Sequence, residues 1–272
     1  MQTINDSLNR VMSNMNYRSE LVRQYVCPGC HNAVNIFRLT DLKGNVFERS
    51  FGCDCELLNA IKIKQQQVNQ QRIDRIFNQY SLVNKSLLSA SFESFQAYSE
   101  DLVEALQQAK KFAAEFNKEK GKNLLLQSTG FGTGKSHLSM SIIKSVKQKG
   151  YTTIFTSTPK LLTKIRSTYN RNTETSEDEM INNIAAADLV VFDDIGAENA
   201  KGWGYEKLFE IIDQRSGKSN IFTTNLNSND FQNDRDLGRL FSRMMENCSV
   251  ISLSDVLDYR MKNFTRKMAP GK

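Results

Sequence analysis

From residue 123 onward, short unbroken apolar runs alternate with longer stretches of helical period. "NLLLQS" (123–128), "YTTIFTS" (151–157), "DLVVFDDIG" (188–196) and "SNIFTTNLN" (219–227) are each too short and too uniformly apolar for a surface helix. They read as strands buried on both faces. Between them, residues 135–149 and "YEKLFEIIDQR" (205–215) carry helical spacing, as does a helix within "DLGRLFSRMMENCSVISL" (236–253). Thr158-Pro159 looks like a helix start, with the threonine as cap and the proline in the first turn. Ser176 and Glu179 have capping-box spacing ahead of "MINNIAAA". Strand alternating with helix predicts an α/β fold built on a parallel sheet.

The first 85 residues follow another pattern. "NAIKIKQQQVNQQRIDRIFNQY" (59–80) has neither Pro nor Gly and places Ile61, Val68, Ile73, Ile76 and Tyr80 at roughly helical spacing. It predicts an amphipathic helix linking two domains. Ahead of it, Val34, Ile36 and Phe37, a turn at "DLKGN", then Val46 and Phe47 predict a β-hairpin. The organisation expected is an N-terminal domain over 1–60, a helical linker over 61–85 and an α/β domain over 86–272.

Composition adds little to this outline. The 272 residues hold 36 Lys and Arg against 30 Asp and Glu, a net charge of +6, compatible with a nucleic-acid partner without requiring one. The polar N-terminus and the lack of an apolar run near the roughly 18 residues of a membrane span predict a soluble, cytoplasmic protein with no membrane partner. Cysteine changes the picture more. Cys27 and Cys30, then Cys53 and Cys55, flank the hairpin as two knuckles, which predicts a four-sulfur Zn2+ ribbon stapling a domain too small to hold itself together. His31 is an alternative ligand, and Cys248 in "CSVISL" is a small buried residue.

The turn after the first strand, "QSTGFGTGKSHL" (127–138), nearly matches the phosphate-cradling pattern G-x-x-x-x-G-K-[ST], with Thr129 where the first Gly belongs. Gly130, Gly132 and Gly134 allow close backbone approach, with Gly130 free to absorb the dihedral that Thr129 would resist. Lys135 would reach the β- and γ-phosphates and Ser136 would ligate Mg2+, with Thr133 and His137 in the same nucleotide-binding stretch. Asp193 and Asp194 end a strand about sixty residues on, as a Mg2+ ligand followed by a water-polarising acid should. Asn225 tips the next strand, where it could orient the attacking water. No N-K-x-D follows the loop, which points to ATP over GTP. Arg239 and Arg243 lie four apart on one helical face.

This order of elements is similar to that of AAA+ ATPases. "DDIGAE" (193–198), "FTTNLN" (222–227), "RLFSRMMEN" (239–247), "DYR" (258–260) and "SFESF" (91–95) together resemble bacterial and phage helicase loaders of the DnaC/DnaI type, over roughly residues 86–265. The resemblance implies a P-loop AAA+ core without a C-terminal lid, an ATPase that self-assembles with ATP, binds the replicative hexameric helicase and delivers it onto single-stranded DNA. It implies Arg243 as a trans-acting arginine with Arg239 close by, and Arg260 as a second phosphate sensor. It also implies the zinc-bearing domain as the helicase-docking module. Tyr169 (with Arg166 and Arg171) and Tyr205 (with Lys207) are the expected single-stranded DNA contacts. A transposition helper ATPase that binds duplex DNA, and a helicase-binding antagonist that does not hydrolyse ATP, are the alternative readings.

Overall fold

The computed structural model describes residues 18–168, 176–197, 202–253 and 258–259. The chain divides into two compact units, Met1–Asn69 and Gln70–Lys272.

In the first unit three strands, β1 (Arg18–Val26), β2 (Ala33–Thr40) and β3 (Val46–Phe51), form an antiparallel meander in that order. The hairpin expected between the cysteine knuckles is β2–β3. Its turn is held by Asp41, whose Oδ1 accepts from the backbone N–H groups of Lys43 and Asn45, both at 2.8 Å. β1 lies outside the sequence expectation because "RSELVRQYV" shows no strong alternation; seven of its nine residues are exposed. Only β2 contributes a run of buried apolar positions: Val34, Ile36, Phe37 and Leu39. That is a thin core for three strands. Helix α1 (Cys55–Tyr80) starts on the last cysteine, four residues before the helix expected from sequence, and the boundary between the units falls within it.

The second unit is a five-stranded parallel sheet of β4 (Asn123–Gln127), β5 (Thr153–Ser157), β6 (Leu189–Ile195), β7 (Ser219–Thr224) and β8 (Cys248–Ser252). Its spatial order is β5-β6-β7-β4-β8. Helices α2 (Glu100–Ala114) and α3 (Lys135–Gln148) cover one face; α4 (Thr158–Thr168), α5 (Glu177–Ala186), α6 (Trp203–Asp213) and α8 (Arg235–Met244) cover the other. The short α7 (Ser228–Asn233) precedes α8. Alternation along the strands divides the apolar residues between the faces. Leu125, Ile154, Val190, Phe192 and Phe222 join one core, while Leu124, Leu126, Phe155, Val191 and Ile221 join the other. Covering both faces explains why these strands read as continuous apolar runs. The outer edge of β5 is closed by a single parallel bridge, Leu82 to Thr156. Among the described residues no helix is long and apolar enough to cross a membrane.

Two helix starts differ from expectation. α4 begins at Thr158 itself, straight out of β5, and the buried Thr158 hydroxyl has no hydrogen-bond partner. Ser176 does cap α5 by accepting from Glu179 N–H at 3.1 Å, but the Glu179 carboxylate takes the Tyr80 hydroxyl at 2.8 Å. The full capping box occurs at Asn227 and Asp230, at the start of α7.

Arg215 is the largest fully buried side chain. Its guanidinium donates to the carbonyls of Ile184, Ala187 and Ser219 and to Asn220 Oδ1, at 2.5 to 2.9 Å. It plugs the C-terminus of α5, where free carbonyls and the helix dipole favour a cation. Burial pulls its pKa down to about 9, the cost of placing a charge there, with Asp188 opposing. Lys218 assists from the surface, reaching Ala185 O at 2.6 Å. Replacing Arg215 by Met should remove roughly 2–4 kcal/mol of stability by orphaning these carbonyls. Lys218→Met should cost under about 1 kcal/mol, and denaturant midpoints of the two full-length variants would check the contrast.

Candidate nucleotide site and cysteine cluster

The strand order builds the site. β7 lies between β4 and β6, so the loop after β4, the polar tip of β7 and the acidic end of β6 meet at the C-terminal edge of the sheet. Crevices at that edge are where open α/β sheets bind ligands. Lys135 opens α3 and is buried. Its ammonium donates to Asn225 Oδ1 at 2.6 Å, Gly130 O at 3.1 Å and Thr133 Oγ1 at 3.4 Å, which uses all three of its protons. Burial lowers its pKa, opposed by the charges of Asp194 and Asp193. Ser136 Oγ donates to Asp193 Oδ1 at 2.8 Å.

Positive φ in the loop falls on Gly132 (62°) and Gly134 (98°), and on neither Thr129 nor Gly130. A β-branched residue therefore fits at 129 without strain, and Gly130 has no dihedral to absorb. Gly134 is also held by crowding, since a Cβ there would stand 2.6 Å from the Phe95 ring. As the N-cap of α3, Gly134 offers no side chain to the first N–H groups of the helix. Ser99, Ser176, Asn227 and Asp234 do cap α2, α5, α7 and α8. Uncapped N–H groups above a glycine-rich turn, beside a lysine, fit a phosphate group. A hydroxyl already paired with a carboxylate, Ser136 with Asp193, fits Mg2+.

Asp193 and Asp194 are consecutive, and a regular strand would point them to opposite faces. A bulge resolves this. The β6–β7 register shifts between Phe192 and Ile195, and Asp194 takes a left-handed φ of 61°. Asp193 is 3 % exposed and accepts from Thr223 Oγ1 at 2.7 Å as well as from Ser136. Burial, then the neighbouring Asp194 charge, push its carboxyl up to about 6.

Several sequence-predicted residues lie elsewhere. The His137 ring contacts Ser91 O at 2.9 Å and Ser94 Oγ at 3.2 Å and packs edge-on against Phe95. These contacts pin "SFESF" across α3. Tyr205 is 9 % exposed and packed in the core, and Lys207 is paired with Glu177 and Glu210. The Tyr205 ring is thus enclosed, while the Lys207 ammonium is held at the surface by two carboxylates. Arg166 lies over the Trp203 ring, while Tyr169, Arg171 and Arg260 fall outside the described residues. Arg239 stacks on Phe209 at 4.8 Å. Arg243 bonds Asp213 at 2.7 Å and lines a cavity of about 280 Å³ with Asn123 and Asn220. Those asparagines sit at the start of β4 and β7, so Arg243 is at the opposite end of the sheet from the loop, about 15 Å away along β4. Sequence reasoning singled out "DYR" for Arg260 and gave no role to Asp258 or Tyr259; the Tyr259 backbone N–H donates to Gly132 O at 3.2 Å. A Cβ on Gly132 would collide with the Asp258 carboxylate.

In the first unit, the sulfurs of Cys27, Cys30, Cys53 and Cys55 all lie within 4.8 Å of one another. A tetrahedral Zn2+ with bonds near 2.3 Å places its sulfurs about 3.8 Å apart, so the donor set fits. His31, exposed and at φ 58°, is not in the cluster. Backbone N–H groups of Cys30 and Gly29 bring the Cys27 thiol down to about 6, toward the thiolate a metal binds. Sharing protons with the other sulfurs holds Cys55 up at about 12. Cys248 is half-buried, its thiol raised to about 11 by burial.

Because Asp193 ionises near 6 in the fold and near 3.8 outside it, the folded state keeps its proton across that window. Its ionisation therefore lowers stability as pH rises from about 4 to 6, by a ceiling of roughly 3 kcal/mol. Asp193→Asn, melted in chelator without nucleotide, should be more stable than the parent at pH 7.5 and no more stable at pH 4.

A family model described as "IstB-like ATP binding protein" matches residues 55–266. The Escherichia coli K12 replicative helicase loader DnaC is 28% identical over 176 residues, covering 64% of this chain and 69% of that protein. An uncharacterized protein of the same strain, YdaV, is 28% identical over 181 residues, 64% and 66% of the two chains. Among solved structures, the DnaC helicase loader superposes with a TM-score of 0.53 at 24% identity, over 62% of this chain and 99% of that one. DnaI superposes at 0.55 and 19% identity, over 65% and 95%. These structural likenesses carry the fold, while the family model spans the loop, both acids and the polar strand tip. The chain is a member of the IstB-like ATP-binding protein family, with an AAA+ fold of the kind seen in DnaC.

Proposed function

We propose that this protein is an ATP-dependent helicase loader, which binds the replicative hexameric helicase through its cysteine-bearing unit and delivers it onto single-stranded DNA. The observation that carries the ATP part is the convergence of Lys135, Ser136, Asp193 and Asn225 from three adjacent strand ends. Lys135 and the uncapped N-terminus of α3 would hold the β- and γ-phosphates, with Lys135 trading its present internal acceptors for phosphate oxygens. Ser136 and Asp193 would hold Mg2+, which would supply charge neutralisation on the phosphates. Asp194, one residue on and aimed by the bulge, orients and deprotonates the attacking water. Arg243, too far from its own loop, serves the loop of a neighbouring copy, so hydrolysis belongs to an ATP-bound oligomer.

The docking part is supported by the first unit's surface. Leu21, Val22 and Val26 on β1, Val46 and Phe47 on β3, and Leu57, Leu58 and Ile61 on α1 are all exposed. So much exposed apolar surface on so small a unit favours a protein partner. Zn2+ bound by the four thiols would hold that surface in shape, as a closed four-sulfur site with no position for water. A second reading is a transposition helper ATPase, which would coat duplex DNA with ATP and ignore the helicase; the family's description, an ATP-binding protein, fits both readings.

Two experiments test this. Chelating the metal from the full chain should erase hydrogen-exchange protection over residues 18–51 and leave β4 and β7 protected. Loss in both would show that the first unit has no independent dependence on metal. In size-exclusion chromatography with the hexameric helicase, the parent and Lys135→Ala should both co-elute with it, with the ATP-dependent larger species absent from Lys135→Ala. Absence of co-elution by the parent, with or without ATP, would overturn the loader reading.

A further inference from the structure

The bulge that aims the two acids breaks the ladder between β6 and β7, and two hydroxyls of β7 repair it. Thr224 Oγ1 donates to Ile195 O at 2.7 Å, just past the bulge. Thr223 does more. Its hydroxyl donates to Asp193 Oδ1 at 2.7 Å and accepts the backbone N–H of Asp194 at 2.8 Å. Thr223 is fully buried, so water cannot substitute for either bond. A single oxygen therefore joins the carboxylate of one acid to the left-handed peptide of the next.

We infer that Thr223 is a positioning residue for the metal–nucleotide site, fixing the Asp193 carboxylate and the strained Asp194 backbone through one buried hydroxyl. This rests on the reading of Lys135, Ser136 and Asp193 as a Mg2+–ATP site. Asp193 Oδ1 has two donors, Ser136 and Thr223. A metal held by Ser136 and Asp193 would take the place of the first bond. The Thr223 bond then remains as the side-chain contact that sets the carboxylate's rotation. The same hydroxyl offsets the strain of a non-glycine residue at φ 61° by satisfying its N–H. Outer partners of metal-binding carboxylates typically matter by about 10- to 100-fold in metal affinity. The sequence signal is slight, a threonine two residues before the polar tip of a buried strand.

Thr223→Val keeps the volume and removes both bonds. The full-length protein is titrated with a fluorescent ATP analogue, with Mg2+ and in chelator, and Mg2+ half-saturation is measured at fixed nucleotide. Thr223→Val should bind nucleotide in chelator like the parent, yet need about 10- to 100-fold more Mg2+ for half-saturation. Thr223→Ser, which restores the hydroxyl, should return to within about threefold of the parent. Over an Asp193→Asn background, Thr223→Val should add no further loss, because the bond it removes no longer orients a charged ligand. Should Thr223→Val fail to fold, Thr223→Ala carries the same comparison without a methyl against the carboxylate. An unchanged Mg2+ requirement in the hydroxyl-free variant, or no rescue by serine, overturns the inference and leaves the site reading intact. A parent that binds nucleotide without any response to Mg2+ overturns the site reading and the inference with it.

Discussion

Asp193 Oδ1 is a buried acceptor on which hydroxyls from two elements converge, Ser136 from α3 and Thr223 from β7, while its own strand supplies a second acid next door. Burying a carboxylate beside another is unfavourable, and its raised pKa measures that cost. The arrangement persists because the sheet around it is stabilised elsewhere. Phe192 and Phe222 stack on one face and Leu124, Leu126 and Ile221 close the other, so the strand ends cannot drift apart to relieve the charge. A divalent cation on Asp193 would invert the sign of the local field and turn a liability into a binding contribution. Placing the unstable charge at the mouth of an otherwise apolar sheet is how a fold of marginal net stability can spend strain on chemistry.

How much of this could be read from the chain depends on the range of each interaction. Strands buried on both faces announce themselves because each residue's environment is apolar whichever way it points, and all four read from sequence are found, β5 starting two residues later than its run. The loop is equally local, since its glycines, lysine and serine act within ten residues. Thr129 is instructive here. Pattern matching flags it as the flaw, yet the positive φ angles lie at Gly132 and Gly134, so backbone geometry asks nothing special of residue 129. What stayed hidden is what long-range partners decide. Glu179 looks like half of a capping box until Tyr80 claims it. His137 sits in the nucleotide motif, but its ring answers to Ser91 and Ser94, over forty residues away. Tyr205 beside a lysine looks like a DNA contact, and only packing shows that its ring is enclosed. β1 was hidden because a mostly exposed strand has no apolar signature to read.

The two units solve the stability problem differently. The parallel sheet buries apolar surface on both faces and can hold Arg215 chiefly on carbonyl dipoles, with no carboxylate in direct contact and Asp188 assisting from farther off. The meander has one strand of buried residues and leaves much apolar surface outside. A unit with so thin a core needs a crosslink, and four thiols, two from the β1–β2 turn and two from the segment after β3, are placed to provide one. Economy of core leaves exposed the apolar residues that a larger core would enclose, which is the surface the proposed docking role uses.

The sheet is polar in the functional sense as well. Its C-terminal edge gathers the phosphate loop, the acids and Asn225, and its N-terminal edge gathers Arg243, Asn123 and Asn220. An arginine at the far edge is of no use to its own nucleotide, but in a head-to-tail stack the far edge of one copy faces the near edge of the next. Within the chain Arg243 is held by Asp213 and, more loosely, by Glu246, all partly exposed. Exposed pairs of this kind contribute at most about 1 kcal/mol, less than a desolvated arginine gains from a triphosphate. The cis pairing therefore orders the guanidinium without trapping it. In the proposed assembly, the same arginine passes from a weak partner on its own helix bundle to a strong one across the interface, and hydrolysis removes the charge that drew it there.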